Sequence, residues 1–356
     1  MRRRPTLLIA LFALFAGLLL GGSVVAAAAP KDPCDKLFSK STTAKLKVYT
    51  ACREDRQDAA LKRIESQLAA MGTPGAAPSP TAPPTPPSPS PSPKPAQPTA
   101  ADGAPAGPAS TGVPDGTTLT AYTGPSTITA AGTVIDAKKI TTCLVIKADN
   151  VTIKNSLLQA GGCFFNVLSD DGSTGLTLTD VEIDGQNNKT GDSAVSGGGY
   201  TCLRCDVHGT IDGFKAGTDV TIKDSWIHDL AMTADSHNDG IQSLGTTKLA
   251  ITGNTIVLAD GATSAVILST GSASDMRNIT ISGNLLGGGA FTVYGGYAAG
   301  TDTKSKISNI AITDNRFSTK IHPTSGAFGP LTSTDAPVSV SGNTWADGPD
   351  AGRSVS

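Results

Sequence analysis

The feature that most constrains the fold is a short repeat that begins at Val151 and continues to the C-terminal part of the chain. Each copy has a run of alternating Val, Ile, Leu and Thr, then an Asn, Asp or Gly corner, then a second short run. The copies begin 19 to 31 residues apart, at Val151, Leu176, Thr201, Val220, Leu249, Ile279, Ile310 and Val338. Such a period is typical of solenoids, in which a repeat buries its apolar face only against stacked neighbours.

The repeat predicts β-structure, because apolar residues alternate with a period of two and β-branched residues dominate. A third strand of each coil is expected in stretches such as those starting at Cys143 and Asp212. We therefore predict an all-β chain, a right-handed parallel β-helix of about eight coils over residues 117–347, with strands about 4.8 Å apart. A column of asparagines at or beside one corner is interpreted as structural, since Asn tolerates the left-handed conformation. Its members are Asn155, Asn254, Asn284, Asn315 and Asn343.

The rest of the chain divides by composition. Residues 1–29 have the order of a signal peptide, with arginines, an apolar run and then small residues, which predicts a secreted, extracellular protein. Residues 30–72 read as a small helical segment, either a hairpin without chemistry of its own or a docking element for a partner or the cell wall. Residues 73–116 form a Pro/Ser/Ala-rich disordered linker, and residues 348–356 a C-terminal tail.

The net charge and the expected absence of a membrane span limit the kinds of partner that the sequence predicts. The net charge is −2 and there is no basic block, so nucleic acid is not expected. We expect no membrane span in the mature protein, and we expect a monomer.

Six cysteines fit an oxidising compartment. Cys34 and Cys52 can staple the helical segment, and Cys143 and Cys163 begin neighbouring copies of one strand, so a disulfide between coils is expected. Cys202 and Cys205 would lie about 10 Å apart in a straight strand and need a bend to pair, which the sequence leaves open.

Polar residues gather where the middle coils are aligned. Asp184, His208 and His228 fall at equivalent places after the corner, as do Asp212 and Asp239 on the next strand. The remaining members of this set are Lys215 and its equivalent Gln242, His237 just before Asp239, and Tyr294 two coils further on. Stacked carboxylates repel, so one acquires a raised pKa, and a nearby imidazole can move protons. The alternative is that these residues form a polar ladder, in which their side chains hydrogen-bond to backbone groups of the turns. Trp226 is interpreted as a core residue.

Three stretches carry a resemblance: C-L-V-I-K-A-D-N-V-T-I-K-N-S, D-S-W-I-H-D and S-H-N-D-G-I-Q. Over roughly residues 116–345 the chain resembles the pectin-lyase-like right-handed β-helix superfamily, and within it secreted actinobacterial β-helix repeat proteins. The resemblance implies an acidic polysaccharide as the partner. The paired aspartates of polygalacturonases and the aspartate-rich calcium cluster of pectate lyases are not found in the sequence.

Three functions follow. In a polysaccharide lyase acting by β-elimination, Lys215, Gln242 or a cation such as Ca²⁺ would neutralise a uronate carboxylate. His237 or Lys215 would be the base, and Tyr294 or His228 the acid. Gln242, Tyr294, His208 and Asp184 would contact substrate. In a glycoside hydrolase or uronate epimerase, Asp212 and Asp239 would act with Asp184 in support. The third function is polysaccharide binding or a cell-surface role without catalysis. No cofactor is required by the sequence.

Overall fold

The structure is a computed structural model that describes residues 105–170, 172–271 and 275–355. The expected signal peptide, the helical segment with Cys34 and Cys52, and the linker up to residue 104 lie outside the described residues. No helix in the described ranges is long and apolar enough to cross a bilayer. The only helical element in those ranges is one 3-10 turn, Lys304–Lys306.

The described chain forms strands β1 to β28, numbered in chain order, which fall into three parallel sheets. Sheet A has ten strands: β1 Thr120–Ala121, β4 Lys138–Ile140, β7 Leu157–Gln159, β10 Glu182–Asp184, β13 Asp206–His208, β16 Trp226–Ile227, β19 Thr255–Val257, β22 Leu285–Gly287, β25 Arg316–Phe317 and β28 Thr344–Trp345. Sheet B has nine: β2 Thr127–Ile128, β5 Leu144–Ile146, β8 Val167–Ser169, β11 Ser193–Gly197, β14 Asp212–Ala216, β17 Asp239–Ser243, β20 Ser264–Leu268, β23 Phe291–Tyr297 and β26 Gly329–Thr334. Sheet C has nine: β3 Val134–Asp136, β6 Thr152–Lys154, β9 Leu176–Thr179, β12 Tyr200–Leu203, β15 Val220–Lys223, β18 Leu249–Thr252, β21 Met276–Ser282, β24 Ile307–Thr313 and β27 Ser339–Ser341.

The chain visits sheets A, B and C in turn, and each strand pairs with its equivalent in the coil before and after. This confirms the predicted parallel β-helix. Sheets B and C show nine coils, close to the eight expected. The first coil, with strands of two or three residues, carries no clear copy of the repeat.

Stacked aliphatic side chains fill the interior. One column from sheet C and one from sheet A consist of residues with no exposed surface: Ile153, Leu178, Cys202, Ile222, Ile251, Ile281 and Ile312, and Ile140, Leu158, Ile183, Val207, Ile227, Ile256, Leu286 and Phe317. Burial of each large aliphatic chain is worth about 1.5–3 kcal/mol. Continuous columns of this kind explain why the coils are stable only as a stack.

At the corner between sheets C and A, one residue makes the bend and the next residue is buried. From the sequence, both properties were expected of the same asparagines. A residue with positive φ makes the bend, such as Asn155 at 48° and Asp180 at 55°. The next position is buried, and on four successive coils it is an asparagine: Asn254, Asn284, Asn315 and Asn343. The prediction that these four adopt the left-handed conformation is wrong, because the glycine or aspartate before each of them does so. Only Asn155 of the predicted column makes the bend itself.

The four buried asparagines form a ladder between coils. The side-chain oxygen of Asn284 accepts from the backbone N–H of Asn254 at 2.9 Å and from its Nδ2 at 3.0 Å, while Nδ2 of Asn284 donates to the carbonyl of Ile251 at 2.9 Å. The same pattern continues through Asn315 and Asn343. The ladder satisfies backbone groups at a corner where no sheet bond reaches them.

Two disulfides lie in the described region. Cys143 and Cys163 are joined between neighbouring coils with their Cα atoms 5.5 Å apart, as expected. Cys202 and Cys205 are also joined, with Cα atoms 6.0 Å apart. Arg204 between them takes a φ of 52° and bends the chain, which shortens the span that a straight strand would have.

Both ends of the described β-helix pack against other parts of the chain. Near the N-terminus, Gly112 donates its N–H to the carbonyl of Arg204 at 2.9 Å, so this segment runs along the flank of sheet A. At the C-terminus the chain turns back, and Ser354 forms an antiparallel bridge to Thr344. Val355 joins the core with 6% of its surface exposed.

Candidate functional site

In strand β14 of sheet B, two consecutive residues face the core, which departs from the strict alternation of a β-strand. This departure brings the residues on either side of the pair to the same face of the sheet. A Cβ atom added to Gly213 would lie 2.8 Å from the buried side chain of Ile227, so Gly213 faces the core. Phe214 is also fully buried. Asp212 and Lys215 flank this inward pair, and their side chains meet on the same side of the sheet, with Lys215 Nζ 3.7 Å from Asp212 Oδ2.

Lys215 is held as a cation. Its Nζ donates to Asp192 Oδ2 at 2.8 Å, and about a quarter of its side chain remains exposed. Burial acts to lower the pKa of Lys215, but the nearby carboxylate of Asp192 outweighs burial and raises it. A lysine with a raised pKa is a poor proton acceptor at neutral pH, and it is well suited to hold an anionic group.

Asp212 and Asp239 form a buried pair on neighbouring coils. The backbone N–H of Asp239 donates to Asp212 Oδ1 at 2.9 Å, and the two residues expose only 3% and 1% of their surface. Burial, followed by the charge of Asp239, raises the pKa of Asp212 to about 8. The pKa of Asp239 is raised as well, chiefly by burial. Asp212 is therefore a neutral acid at pH 7.

Each carboxylate oxygen of Asp239 accepts a hydrogen bond from a side chain. Ser264 Oγ donates to Oδ1 at 2.5 Å and Gln242 Nε2 donates to Oδ2 at 3.1 Å. His237 lies close enough to interact electrostatically with Asp239, and His237 itself is exposed. Gln242 and Lys215 are in register on adjacent strands. A cleft of about 470 Å³ runs beside them and is also lined by Ser196 and Leu244.

Tyr294 belongs to the same outer column. It pairs with Ile267, which pairs with Gln242, so Tyr294 stands two coils beyond Gln242. Burial raises the pKa of its hydroxyl, which therefore stays protonated at neutral pH. We call Asp192, Asp212, Lys215, Asp239 and Gln242 the Lys215 cluster. His237 lies two residues before Asp239, and Tyr294 lies two coils beyond Gln242 on the same face.

Asp184, His208 and His228 form a separate group on sheet A. Asp184 pairs with His208, and the rings of His208 and His228 stack with centroids 5.2 Å apart. No hydrogen bond or ion pair among the described residues joins this group to the Lys215 cluster. The structure thus divides the predicted site residues between two sheets.

The members of the sheet A group are engaged with neighbours. His228 places Nε2 at 2.9 Å from Asp206 Oδ1 and Nδ1 at 2.7 Å from Asp229 Oδ2. A contact with Glu182 is the main reason why the pKa of His208 is raised. Gly112 lies against Asp206 and covers this flank. These contacts match a polar ladder that stabilises stacked coils.

The predicted position of Trp226 in the core is wrong. Trp226 was interpreted as a core residue, but it lies on the outer side of sheet A in register with Asp206 and is only partly buried. Its indole stacks on the ring of His228 with centroids 3.5 Å apart. The side chain that fills the core of this strand is its neighbour, Ile227.

Two contributors to the cluster were missed by the sequence reading. Asp192 lies in the turn before β11, where loop lengths vary and the repeat gives no register. Ser264 pairs with Asp239 on the neighbouring strand, and this equivalence in the repeat was a detectable signal. No group of three or more His, Cys, Asp or Glu side chains in the described parts of the chain is arranged to hold a metal ion.

No protein-family model matches this chain, and no curated protein matches it. Two solved structures do. Pectate lyase Pel9A matches with a TM-score of 0.30 and 13% identity over 63% of this chain and 61% of its own. The A-module of the Azotobacter vinelandii mannuronan C-5 epimerase AlgE4 matches with a TM-score of 0.28 and 16% identity over 63% of this chain and 78% of its own. The parallel β-helix fold of this chain rests on its own three parallel sheets.

Proposed function

We propose that the protein is a secreted polysaccharide lyase that binds an acidic, uronate-containing polysaccharide on the outer face of sheet B and cleaves it by β-elimination. The observation that carries this proposal is Lys215, a partly exposed cation held by Asp192 and Asp212 beside an open cleft. A fixed ammonium in such a place is complementary to a substrate carboxylate.

The reaction assigns one task to each side chain. Lys215 and the amide of Gln242 bind the uronate carboxylate and stabilise the negative charge that develops when the C5 proton leaves. His237 removes that proton as the base. The C4–O bond breaks, a C4–C5 double bond forms, and water protonates the departing glycosidic oxygen, because Tyr294 stands three coils away from Lys215. Lys215 is not assigned the role of base because its pKa is raised.

The buried aspartates support the cluster from beneath. A neutral Asp212 at pH 7 leaves Asp192 as the main counter-ion of Lys215, so the ammonium keeps attraction for an incoming carboxylate. A hydrolase using Asp212 and Asp239 has less support, because both carboxyl groups are almost fully buried and accept hydrogen bonds from the protein.

Secretion belongs to the same proposal. The disulfides Cys143–Cys163 and Cys202–Cys205 are compatible with an oxidising compartment. Residues 1–29 have the order of a signal peptide. A polysaccharide partner outside the cell fits both observations.

The test incubates the purified full chain with polygalacturonate, alginate and other uronate polymers, with and without Ca²⁺, and follows the ultraviolet absorbance of unsaturated products. The expected result is absorbance that Lys215→Gln reduces by roughly a hundredfold, since one electrostatic contact to developing charge is removed. Lys154→Gln is the matched control, because Lys154 also pairs with an aspartate but lies on sheet C.

Three results contradict the proposal. New reducing ends without unsaturation indicate hydrolysis, and saturable binding without any product indicates a binding protein. Equal activity of the Lys215→Gln variant and the wild type removes Lys215 from the site.

A further inference from the structure

A pair of phenyl rings lies at the far end of the face that carries Lys215. Phe328 is 75% exposed, more than any other large apolar side chain in the described ranges. Its ring centroid is 5.9 Å from that of Phe291, and the ring of Phe291 meets Tyr294 edge-on at 5.7 Å. We call Phe291 and Phe328 the phenyl platform. Phe328 is exposed and rests on the partly buried Phe291, and an exposed aromatic ring held in this way offers a surface for a ligand.

The platform continues the columns of the Lys215 cluster. Asp239 pairs with Ser264, and the pairing of Val266 with Val293 places Phe291 one coil beyond Ser264. Phe291 therefore stands two coils beyond Asp239, and Tyr294 three coils beyond Lys215. At about 4.8 Å for each coil these separations are about 10 Å and about 14 Å along one sheet face.

The two ends of this face differ in chemistry. Lys215 offers a positive charge, whereas Phe291 and Phe328 offer uncharged, flat surface. A ligand that contacts both must be elongated, carry a carboxylate and have an apolar ring face. A sugar ring has such a face where its C–H bonds lie on one side, and an aromatic ring packs against it through dispersion and burial of apolar area.

We propose that the phenyl platform is a second binding subsite for the same anionic polysaccharide, where a sugar several units away from the carboxylate held by Lys215 stacks on Phe328 and Phe291. This inference rests on the proposed function and adds a length requirement to it. Short oligosaccharides reach only the Lys215 end, and longer ones contact both ends and bind more tightly.

The experiment measures binding of the full-length protein by calorimetry. The probes are a dimer and a hexamer of galacturonate, together with the corresponding oligomers from alginate. The wild type is expected to bind the hexamer more tightly than the dimer. Phe328→Ala is expected to weaken hexamer binding by roughly threefold to tenfold and to leave dimer binding unchanged. Phe328→Trp restores the preference for the hexamer, because it keeps an exposed ring.

Val134→Ala is the matched control, since Val134 is 59% exposed but lies on sheet C. Phe328 is so exposed that its removal leaves the core intact, and thermal unfolding of the variant checks this. If Phe328→Ala binds the hexamer as the wild type does, or weakens dimer and hexamer alike, the platform is not a separate subsite while the Lys215 proposal stands. If the wild type binds none of the oligouronates, the proposed function fails, and the platform fails with it.

Discussion

The backbone N–H of Asp239 donates to the carboxylate of Asp212 across neighbouring coils, at 2.9 Å. The hydrogen bond favours the ionised form of Asp212, but burial and the charge of Asp239 act more strongly in the opposite direction. One residue of a stacked pair is thereby kept protonated at neutral pH. This relationship has a consequence for stability that can be measured independently of any activity.

The Asp212→Asn variant is expected to remove a pH dependence of folding. In the folded protein the pKa of Asp212 is raised to about 8, whereas in the unfolded chain it is about 3.9. The stability that the bound proton confers is complete below about pH 4 and is lost as the pH rises through about 8. Between about pH 5 and about pH 8 the wild type should lose on the order of 4 kcal/mol that Asp212→Asn retains.

Denaturant unfolding at a series of pH values measures this difference. Asp219→Asn is the control, because Asp219 is an exposed partner of Lys248 at a corner. Parallel pH profiles for the wild type and Asp212→Asn would show that Asp212 is ionised in the folded protein at neutral pH.

The Tyr294→Phe variant tests whether the Tyr294 hydroxyl binds the polysaccharide. The variant keeps the ring that packs against Phe291 and removes only the hydroxyl. Because Tyr294 stands three coils beyond Lys215, KM should rise by roughly threefold to tenfold while kcat changes little. Steady-state kinetics on the polymer that gives unsaturated products measures both, and Tyr122→Phe is the control at a distant turn. A large fall in kcat with KM unchanged would instead assign Tyr294 to proton transfer.

The Asn284→Ala variant should be strongly destabilised. It removes the acceptor for the backbone N–H of Asn254 and the donor to Ile251 and Asn315, and the buried N–H of Asn254 is left without the partner it has in the wild type. The expected loss is about 3 kcal/mol or more in the free energy of unfolding. Chemical denaturation measures it.

Asn284→Ser is the matched variant for this test. Serine occupies the same corner position at Ser225, where its hydroxyl accepts the N–H of Cys205 on the preceding coil. Asn284→Ser should therefore lose less stability than Asn284→Ala. Equal losses would mean that the N–H acceptor contributes little and that side-chain amide packing dominates.

The fold was predictable because its signal is repeated. Alternation of Val, Ile, Leu and Thr at recurring positions fixed the strands of sheets A, B and C and even the equivalence of Lys215 with Gln242. The first coil was harder to recognise, since Thr127–Ile128 is too short to show alternation. Because every coil packs against its neighbours in a similar way, the repeat alone is enough to predict most of the strands.

The candidate site was only partly predictable, for geometric reasons. Strict alternation would put Asp212 and Lys215 on opposite faces, and the two inward residues between them bring them together. The turn that carries Asp192 has no repeat to align. His228 was expected beside Asp212, but consecutive strands turn onto different sheets, so nearness in sequence did not become nearness of side chains.

The returning C-terminal segment has a consequence for association. A parallel stack ends in a row of unpaired N–H and carbonyl groups that can recruit another chain as one more rung. The antiparallel bridge of Ser354 to Thr344 occupies part of that row on sheet A, and Val355 closes the apolar interior above it. Removal of this short return would leave a template on which molecules could add end to end, and fibre growth in a truncated protein is the behaviour to watch for.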